Sequence, residues 1–348
     1  MIAAEVLQAL PLARLRHLLS GLGEKSASDV LTQELGATVT RSTARTLIKR
    51  LQQSAVDVTP HPGETEESIE DWLERQERQC ARKIAKAKLH HRTIELPARP
   101  FALWVIGDPH LDNNGCDVAQ LRRDLSIYKQ LEDAYAICVG DMTDNWVGRL
   151  QKIYGSSDNT AEMGFRASKW LMEQASPFLA LVGGNHDAWS TVPGHDPLKW
   201  LTRDANVMAY APDEIRLTLT WRNRADLEPL KAVIRHDFPG RSWFHPTHGP
   251  NKEAMLDDAC IYVAGHLHNW GELTTEQRHG RITHAMRVRG YKRSDVYAKR
   301  LGFYEQNYGC SCLIVVNPTL SGPGRVHVAW DLEAGAQYLR ALQGEPPV

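Results

Sequence analysis

Short apolar runs that end at a glycine and continue into polar residues recur four times in the chain. Runs of this length, bounded by turn residues, are typical of buried β-strands. Between them, apolar residues at helical spacing predict helices over Val118–Leu131 and Ala161–Gln174. This alternation predicts a layered α/β domain, in which the residues that follow the strands gather at their carboxyl ends. The runs are Phe101–Ile106 before Gly107, Ala134–Val139 before Gly140, Pro177–Val182 before Gly183, and Ala259–Ala264 before Gly265.

Further apolar stretches extend the predicted domain toward the carboxyl terminus. The pattern contains no internal repeat and no low-complexity tract. We therefore expect one large α/β domain over residues 97–335, followed by a tail over residues 336–348. The additional strands are predicted over Ile215–Trp221, Leu230–Arg235, Leu313–Val316 and Val326–Trp330, and an additional helix over Lys252–Asp258.

The first 57 residues read as a small, separate helical region. Apolar spacing predicts a helix within Ala3–Leu22, a second from a cap at Ser28 to Leu35, and a third over Ser42–Gln53, capped by Thr40 or Ser42. This is the helix-turn-helix pattern, and within residues 1–55 seven basic residues against four acidic ones give a local balance of +3. Two interpretations stay open: a unit that binds DNA, and a helical scaffold or dimerisation unit with a solvated face.

Residues 58–96 are expected to connect the two regions. Pro60, Pro62 and Gly63 mark a linker, because proline removes a backbone donor and biases its predecessor away from helix. From Glu64 to His91 the chain is charged, with acidic residues first and basic residues last, which complements a helix dipole. A solvated connecting helix is the simplest interpretation.

Composition and charge narrow the class of protein. The chain has 348 residues, 42% hydrophobic and 24% charged, as is ordinary for a soluble globular protein. A formal net charge of −1 argues against polyanion binding over the whole surface, so any nucleic-acid contact is expected to be local. No apolar block is long enough for a signal sequence or a membrane span, which indicates a cytoplasmic protein. The six cysteines form no paired framework and are expected to be reduced.

The residues that follow the predicted strands are of types that bind metal ions. His266 and His268 are two positions apart in an extended segment, so both rings can face one site. Carboxylate and amide oxygens mixed with imidazoles suit Mn²⁺, Fe, Zn²⁺ or Ni²⁺ better than Mg²⁺ or Ca²⁺. Seven ligands are too many for one ion, whereas two ions ~3.5–4 Å apart, with a bridging carboxylate, would use them all. The candidates are Asp108, His110, Asp141, Asn185, His236, His266 and His268.

In this order the residues form the patterns D-x-H, G-D-x-x-D, G-N-H-D, a histidine at a strand end, and G-H-x-H. The set resembles the calcineurin-like metallophosphoesterase superfamily over roughly residues 99–335. The resemblance implies a layered β-sandwich flanked by helices, and a hydrolase that uses a metal-bridging hydroxide as nucleophile, with manganese as the expected metal. It also assigns roles: Asp108, His110 and His268 to one ion, Asn185, His236 and His266 to the other, Asp141 as the bridge, His186 to assist the leaving group, and Asp187 to position the His186 ring.

Two features refine this resemblance. His248, in Thr247-His248-Gly249, competes with His236 for the fourth motif, and we favour His236 because it ends a clear apolar strand. The sequence has no Arg-Gly after its second motif and no arginine before G-N-H, unlike the protein Ser/Thr phosphatases of the superfamily. It is more similar to the phosphodiesterase and nuclease branches, and to members carried by bacteriophages.

Three functions remain as hypotheses at this point. The first is a phosphodiesterase or nuclease, the second a phosphomonoesterase acting on a nucleotide or other small phosphate ester, and the third a non-catalytic DNA-binding protein. Between Glu276 and Arg300, eight basic residues stand against two acidic ones, a local balance of +6, interrupted by Tyr291 and Tyr297. We expect this segment to hold a nucleic-acid or nucleotide substrate through phosphate contacts and base stacking. The alternative is a solvated strand or loop whose arginines pair with the acidic helix near Glu64–Asp71.

Overall fold

A computed structural model describes residues 3–54, 68–88, 90–156, 158–192, 195–203, 205–240, 242, 244–268, 271–278, 280–293 and 310–344. Within this chain two compact units are distinguished, residues 1–78 and residues 79–348. In the described part of the chain, none of the helices combines the length and the apolarity that are required to span a membrane.

The first unit is helical. Its helices are α1 (Ala3–Ala9), α2 (Leu12–Leu19), α3 (Glu24–Leu35) and α4 (Arg41–Ser54), and α5 (Ile69–Lys88) begins within it. Helix α3 ends at Gly36, whose φ of 62° is a left-handed C-cap conformation that glycine adopts at low cost. Ser28 lies inside α3 instead of capping it, because the helix begins at Glu24, and its hydroxyl donates to the Val39 carbonyl (2.6 Å). The buried core of the unit consists of Val6, Leu15, Leu19, Ala27, Leu31, Val39, Ala44, Leu47 and Leu51.

The second unit contains the described strands, which form two six-stranded sheets. The strands are β1 (His91–Leu96), β2 (Phe101–Ile106), β3 (Ala134–Cys138), β4 (Phe178–Val182), β5 (Tyr210–Ala211), β6 (Glu214–Trp221), β7 (Leu230–Arg235), β8 (Ile261–Ala264), β9 (Glu272–Arg278), β10 (Arg281–Arg287), β11 (Leu313–Val316) and β12 (Val326–Ala329). The helices are α6 (Val118–Tyr128), α7 (Ala161–Gln174), α8 (Asn185–Ala188), α9 (Pro197–Leu201), α10 (His248–Leu256) and α11 (Leu332–Gln343).

One sheet has the strand order β12-β11-β2-β3-β4-β5, and the other has the order β1-β6-β7-β8-β10-β9. Strands β2, β3, β4 and β5 run parallel in the first sheet, and β7, β8 and β10 run parallel in the second. The predicted α/β class with a layered β-sandwich and a helical N-terminal region is therefore confirmed.

Side-chain alternation along the strands explains the layers. In β8, Ile261 and Val263 belong to the main core that joins the two sheets, whereas Tyr262 and Ala264 belong to a second core beneath α10. Strand β2 is buried at all six positions because α11 covers the face that does not meet the other sheet. Its continuous apolar run is thus the signature of a strand that is covered on both faces.

Two segments differ from the expectation. Residues 91–96, assigned to the linker, form β1, which pairs in parallel with β6 over six register positions. The expected tail from residue 336 begins inside α11, whose Leu332, Ala336 and Leu339 are fully buried. The alternation of Ile94 and Leu96 with polar residues in β1, and the amphipathic spacing of α11 after its N-cap Asp331, were the signals available in the sequence for these two segments.

Candidate metal centre

The polar residues of the four motifs follow neighbouring parallel strands. Asp108 and His110 follow β2, Asp141 follows β3, and Asn185 follows β4 in the first sheet. His236 follows β7, and His266 and His268 follow β8, which pairs with β7 in the second sheet. The carboxyl ends of parallel neighbours lie at one edge of a sheet, so both sets converge on one place.

Four of these residues have a strained backbone. Asp108, His110, Asp141 and His266 have φ values of 29°, 43°, 50° and 70°, in the left-handed region that non-glycine residues seldom adopt. Such conformations persist only where the surrounding structure holds them, and they concentrate at functional sites. The turns after the strands therefore aim these side chains inward at a cost in backbone energy.

Asp141 belongs to two groups of potential ligand atoms. In one group Asp141 lies with His110 and His268, and in the other with His236 and His266; within each group the ligand atoms lie within 4.8 Å of one another. In the first group, His110 Nε2 is 3.2 Å from His268 Nε2. Two ring nitrogens that face each other at this distance can share one cation.

The second group also includes an amide oxygen. His236 Nε2 is 2.9 Å from Asn185 Oδ1, 3.1 Å from His266 Nδ1 and 3.3 Å from Asp141 Oδ2. The other nitrogen of His236, Nδ1, donates to the Val139 carbonyl at 2.9 Å. A histidine that ligates a metal ion commonly donates its second ring N–H to a carbonyl in this way.

His248 stands elsewhere, at the start of α10, with its ring against Gly240. Among the described residues the metal-type groups include His236 and do not include His248. The geometry thus brings together His236 and the other ligand candidates of the second group.

The contacts of the Asp108 carboxylate show whether a cation fits the centre. Its Oδ2 accepts from the His266 backbone N–H (2.7 Å), whereas its buried Oδ1 has no hydrogen-bond partner among the described residues. The nearest ring nitrogen, His236 Nδ1, is 3.3 Å away and already donates to Val139. A buried, unsatisfied carboxylate oxygen is costly, and a metal ion would satisfy it.

Burial sets the protonation of His110, His268 and Asp108. Burial, followed by the charge of Lys292, lowers the pKa of His110 to about 4, and burial lowers the pKa of His268 well below its usual value. Both rings are therefore neutral at pH 7, as metal binding requires. Burial also raises the pKa of Asp108 to about 7, and a neighbouring cation would favour its ionised form.

Two motif glycines leave room for the acidic ligands. A Cβ at Gly184 would fall on Asp141 Oδ1, and a Cβ at Gly265 would lie 2.7 Å from Asp108 Oδ2. Any larger residue would displace a ligand candidate. The donor set, the unsatisfied oxygen and these close approaches together fit a pair of divalent cations.

Asp144 supports the centre, although the sequence analysis did not include it among the site residues. Its Oδ1 lies 2.8 Å from His110 Nδ1 and accepts from Lys292 Nζ at 2.9 Å. Burial alone would raise the pKa of Asp144, but His110 and Lys292 outweigh it and hold this pKa well below its usual value. Its position as the last residue of G-D-x-x-D was the available signal. No sequence signal linked Lys292 to the centre, because it lies 148 positions from Asp144.

The catalytic candidates His186 and Asp187 have distinct surroundings. His186 lies at the edge of the centre, half-buried, and its Nδ1 donates to the Asp144 carbonyl at 2.7 Å. Asp187 was expected to position this ring. Its Oδ2 instead accepts from the backbone N–H groups of Gly184 (2.8 Å) and Asp141 (2.7 Å), so it braces the two motif turns.

Several side chains of the basic segment, residues 276–300, are buried and form hydrogen bonds within the protein. Tyr291 is fully buried and donates to Asp124 Oδ2 at 2.7 Å, so it cannot stack on a base. Arg287 is also buried and donates to Asp237 Oδ1 at 2.8 Å and to the Pro246 carbonyl at 2.8 Å. Glu64, Glu66 and Glu67, which belong to the acidic helix of the alternative interpretation, lie outside the described residues. Tyr297, Lys299, Arg300 and the aromatic residues Phe303, Tyr304 and Tyr308 lie outside the described residues.

The chain resembles known proteins in sequence and in fold. A model of the calcineurin-like phosphoesterase family matches residues 101–286. No curated protein matches the chain. Solved structures with a similar fold include Chaetomium thermophilum Vps29, with 14% identity over 66% of this chain and 95% of that one and a TM-score of 0.35. Haemophilus influenzae NAD nucleotidase has 10% identity over 67% of this chain and 50% of that one, with a TM-score of 0.37. Pseudomonas putida nuclease MPE has 14% identity over 65% and 87%, with a TM-score of 0.29.

Proposed function

The chain belongs to the calcineurin-like phosphoesterase family and is a metal-dependent phosphoesterase, and we propose that it hydrolyses a phosphodiester in nucleic acid or in a nucleotide derivative. The observation that carries the proposal is the position of Asp141, whose carboxylate belongs to both groups of ligand atoms. A shared carboxylate between two sets of imidazoles is the arrangement that two-metal hydrolysis uses.

The ligand sets follow from the two groups. His110, His268 and Asp108 would hold one ion, and His236, His266 and Asn185 would hold the other, with Asp141 as the shared ligand. When bound, such a pair of ions activates water and neutralises charge on the phosphate. Manganese is the metal we expect, because mixed oxygen and imidazole ligands suit it.

The remaining residues orient and assist. His186, fixed through Nδ1 by the Asp144 carbonyl, presents its Nε2 to the substrate and assists departure of the leaving alcohol. Asp144 contacts His110 Nδ1 and accepts a hydrogen bond from Lys292, so that these two residues keep the His110 ring in place. Asp187 keeps the Gly184 and Asp141 backbones in place, so that Asp141 keeps its shared position.

The charges around the centre favour a diester over a monoester. A diester carries one negative charge at neutral pH and a monoester carries close to two. Two basic side chains near the ligands, Arg287 and Lys292, are buried and already engaged by Asp237 and Asp144. Beyond the charge of the two ions, these two side chains therefore offer no free positive group to a second phosphate oxygen. The G-N-H-D form, which is similar to the phosphodiesterase and nuclease branches, agrees with this preference.

A phosphomonoesterase that acts on a nucleotide or another small phosphate ester is the second candidate. Hydrolysis of bis-p-nitrophenyl phosphate and of p-nitrophenyl phosphate, each with Mn²⁺ and with excess chelator, separates the two. We expect Mn²⁺-dependent turnover with a higher kcat/KM for the diester, and loss of both activities on chelation. A higher kcat/KM for the monoester would replace the proposal with the second candidate.

A further inference from the structure

Three aromatic rings pack together at the edge of the centre. The His186 ring lies 4.1 Å from the Trp189 ring, at an interplanar angle of 36°. Trp146 meets the same imidazole at 5.2 Å and 69°, and meets Trp189 at 5.7 Å and 35°. The leaving-group candidate thus sits in an aromatic cluster formed by Trp146, His186 and Trp189.

The members of this cluster differ in exposure. Trp146 is 4% exposed and supports the cluster from inside, whereas Trp189 is 37% exposed. Indole surface that remains open to solvent directly beside a ring of the active centre is available to a ligand. Because His186 is placed to contact the leaving group, the exposed part of Trp189 lies on that side of the scissile bond.

The support of Trp189 is rigid. Asn145 Nδ2 donates to the His186 carbonyl (2.7 Å), and Ser190 Oγ donates to Asn145 Oδ1 (2.6 Å), so hydrogen bonds clamp the segment on both sides of Trp189. The Trp189 backbone N–H donates to the His186 carbonyl at 3.2 Å. A flat ring that is already ordered loses little entropy when a second ring stacks on it.

We propose that Trp189, backed by Trp146, is a stacking surface for the nucleobase of the leaving nucleoside. The inference rests on the proposed phosphodiesterase function and specifies its substrate as one with a planar aromatic group on the leaving side. Stacking of this kind tolerates any base, because every base presents a π-face. It also assigns the aromatic contact to a residue after the third motif, in place of the buried Tyr291.

The test uses a thymidine dinucleotide and its two abasic analogues, each of which lacks one base. The sugars and the phosphate are the same in all three, and the fragment released without phosphate identifies the leaving side. With Mn²⁺, the wild type should lose on the order of ten-fold in kcat/KM when the leaving-side base is absent. Removal of the other base should change kcat/KM by less than about two-fold.

Trp189→Ala should bring the ratio between the intact and the leaving-side abasic substrate to within about two-fold, and Trp189→Phe should keep most of the preference. Trp170→Ala is the matched control, since Trp170 is 40% exposed on α7 and outside the cluster; it should retain the wild-type ratio. If Trp189 only supported His186, Trp189→Ala would slow both substrates equally, and that result overturns the proposal. A wild type with no base preference overturns it as well. Absence of Mn²⁺-dependent cleavage of all three dinucleotides and of bis-p-nitrophenyl phosphate would instead reject the phosphodiesterase function itself.

Discussion

Asp141 and His186 are linked by a hydrogen bond, but their side chains have separate roles. The His186 backbone N–H donates to Asp141 Oδ1 at 2.9 Å, while Asp141 Oδ2 faces His236 Nε2 at 3.3 Å. One carboxylate therefore links the turn of the third motif to the imidazoles of the second sheet. The imidazole of His186 points elsewhere and is held by the Asp144 carbonyl. Substitutions at the two residues should consequently fail in different ways.

Asp141→Asn should lose both metal ions and all activity, because both ligand sets share this carboxylate. His186→Gln should keep two equivalents of Mn²⁺ but lower kcat by about 10² to 10⁴, most for substrates with basic leaving groups. Metal analysis after gel filtration, with turnover of a leaving-group series, measures both effects. A wild type that is fully active with a single tightly bound equivalent of Mn²⁺ would contradict the shared role of Asp141. Loss of metal from His186→Gln would contradict that of His186.

Asp144 acts through His110, so its replacement should weaken metal binding without removing a ligand. Asp144→Asn should reduce Mn²⁺ affinity by about 10- to 100-fold, as is usual when the partner of a ligating histidine is changed. Titration of apo-protein with Mn²⁺ measures this. Asp226→Asn, which disrupts an exposed pair with Arg224, is the control and should bind Mn²⁺ as the wild type does. An unchanged affinity in Asp144→Asn would show that His110 needs no such support.

At the scale of elements, the strand ends supply the ligands and the surrounding helices and strands keep those ends in register. Strand β2 lies between β3 and β11, and its ends are fixed by pairing with both. Helix α11 packs closely on this part of the sheet. Its position 335 requires glycine, because a Cβ there would lie 2.9 Å from Leu313 Cδ2. The carboxyl-terminal helix is therefore part of the support for the first motif.

Leu339→Ala should lower the free energy of unfolding by about 2–5 kcal/mol, because Leu339 is fully buried between α11 and the sheet. Gln337→Ala, at an exposed position of the same helix, should change it by less than about 0.5 kcal/mol. Urea unfolding of both variants in the presence of excess chelator gives the comparison. Equal stabilities would show that α11 does not contribute to the core.

His284 on β10 should make stability depend on pH. It is 5% exposed, and burial lowers its pKa to about 4 from 6.5. The unfolded chain therefore binds this proton first as the pH falls, so the contribution of His284 is complete above pH 6.5 and is lost between about 6.5 and 4. His284→Gln should show a smaller loss of unfolding free energy between pH 7 and pH 5 than the wild type. His91→Gln, at an exposed position, is the control. Parallel pH profiles for His284→Gln and the wild type would contradict the prediction.

At the scale of the whole molecule, the helical unit is a separate body with charged side chains on its surface. The helical unit has its own buried core, and its outer charges are partly paired, Arg14 with Glu34 (3.0 Å) and Arg45 with Glu24 (2.5 Å). Arg41, Lys49 and Arg50 are exposed on α4. This face decides between the two interpretations of the unit, because a nucleic-acid contact needs such groups and a helical scaffold does not.

Replacement of Arg41, Lys49 and Arg50 by alanine should flatten the salt dependence of DNA binding if the unit binds nucleic acid. Each lost phosphate contact lowers the slope of log K against log salt concentration by about 0.9 for duplex DNA. Fluorescence anisotropy with a duplex, at several salt concentrations, measures the slope for the full chain. Arg14→Ala, at an ion-paired residue, is the control. Identical slopes for the triple variant and the wild type would favour the scaffold.

Sequence alone determined the features that are local in the chain. Each apolar run before a glycine became a buried strand, and β7, β11 and α7 begin and end at the predicted residues. This succeeded because strand and helix periodicities, and the ligand types that follow a strand, are properties of adjacent residues. The family and its mixed α/β fold were accessible for the same reason.

Tertiary structure decided what depends on distant partners. Lys292 reads as a free basic residue in the sequence, yet burial against Asp144 makes it part of the centre. Tyr291 reads as a stacking ring, yet it is a core residue bonded to Asp124, 167 positions away. Trp189 follows the third motif closely, yet its packing on Trp146, a residue beyond the second motif, is visible only in the folded chain. The physical reason is that burial and charge pairing arise when remote segments meet, so they replace the preferences that each residue shows alone.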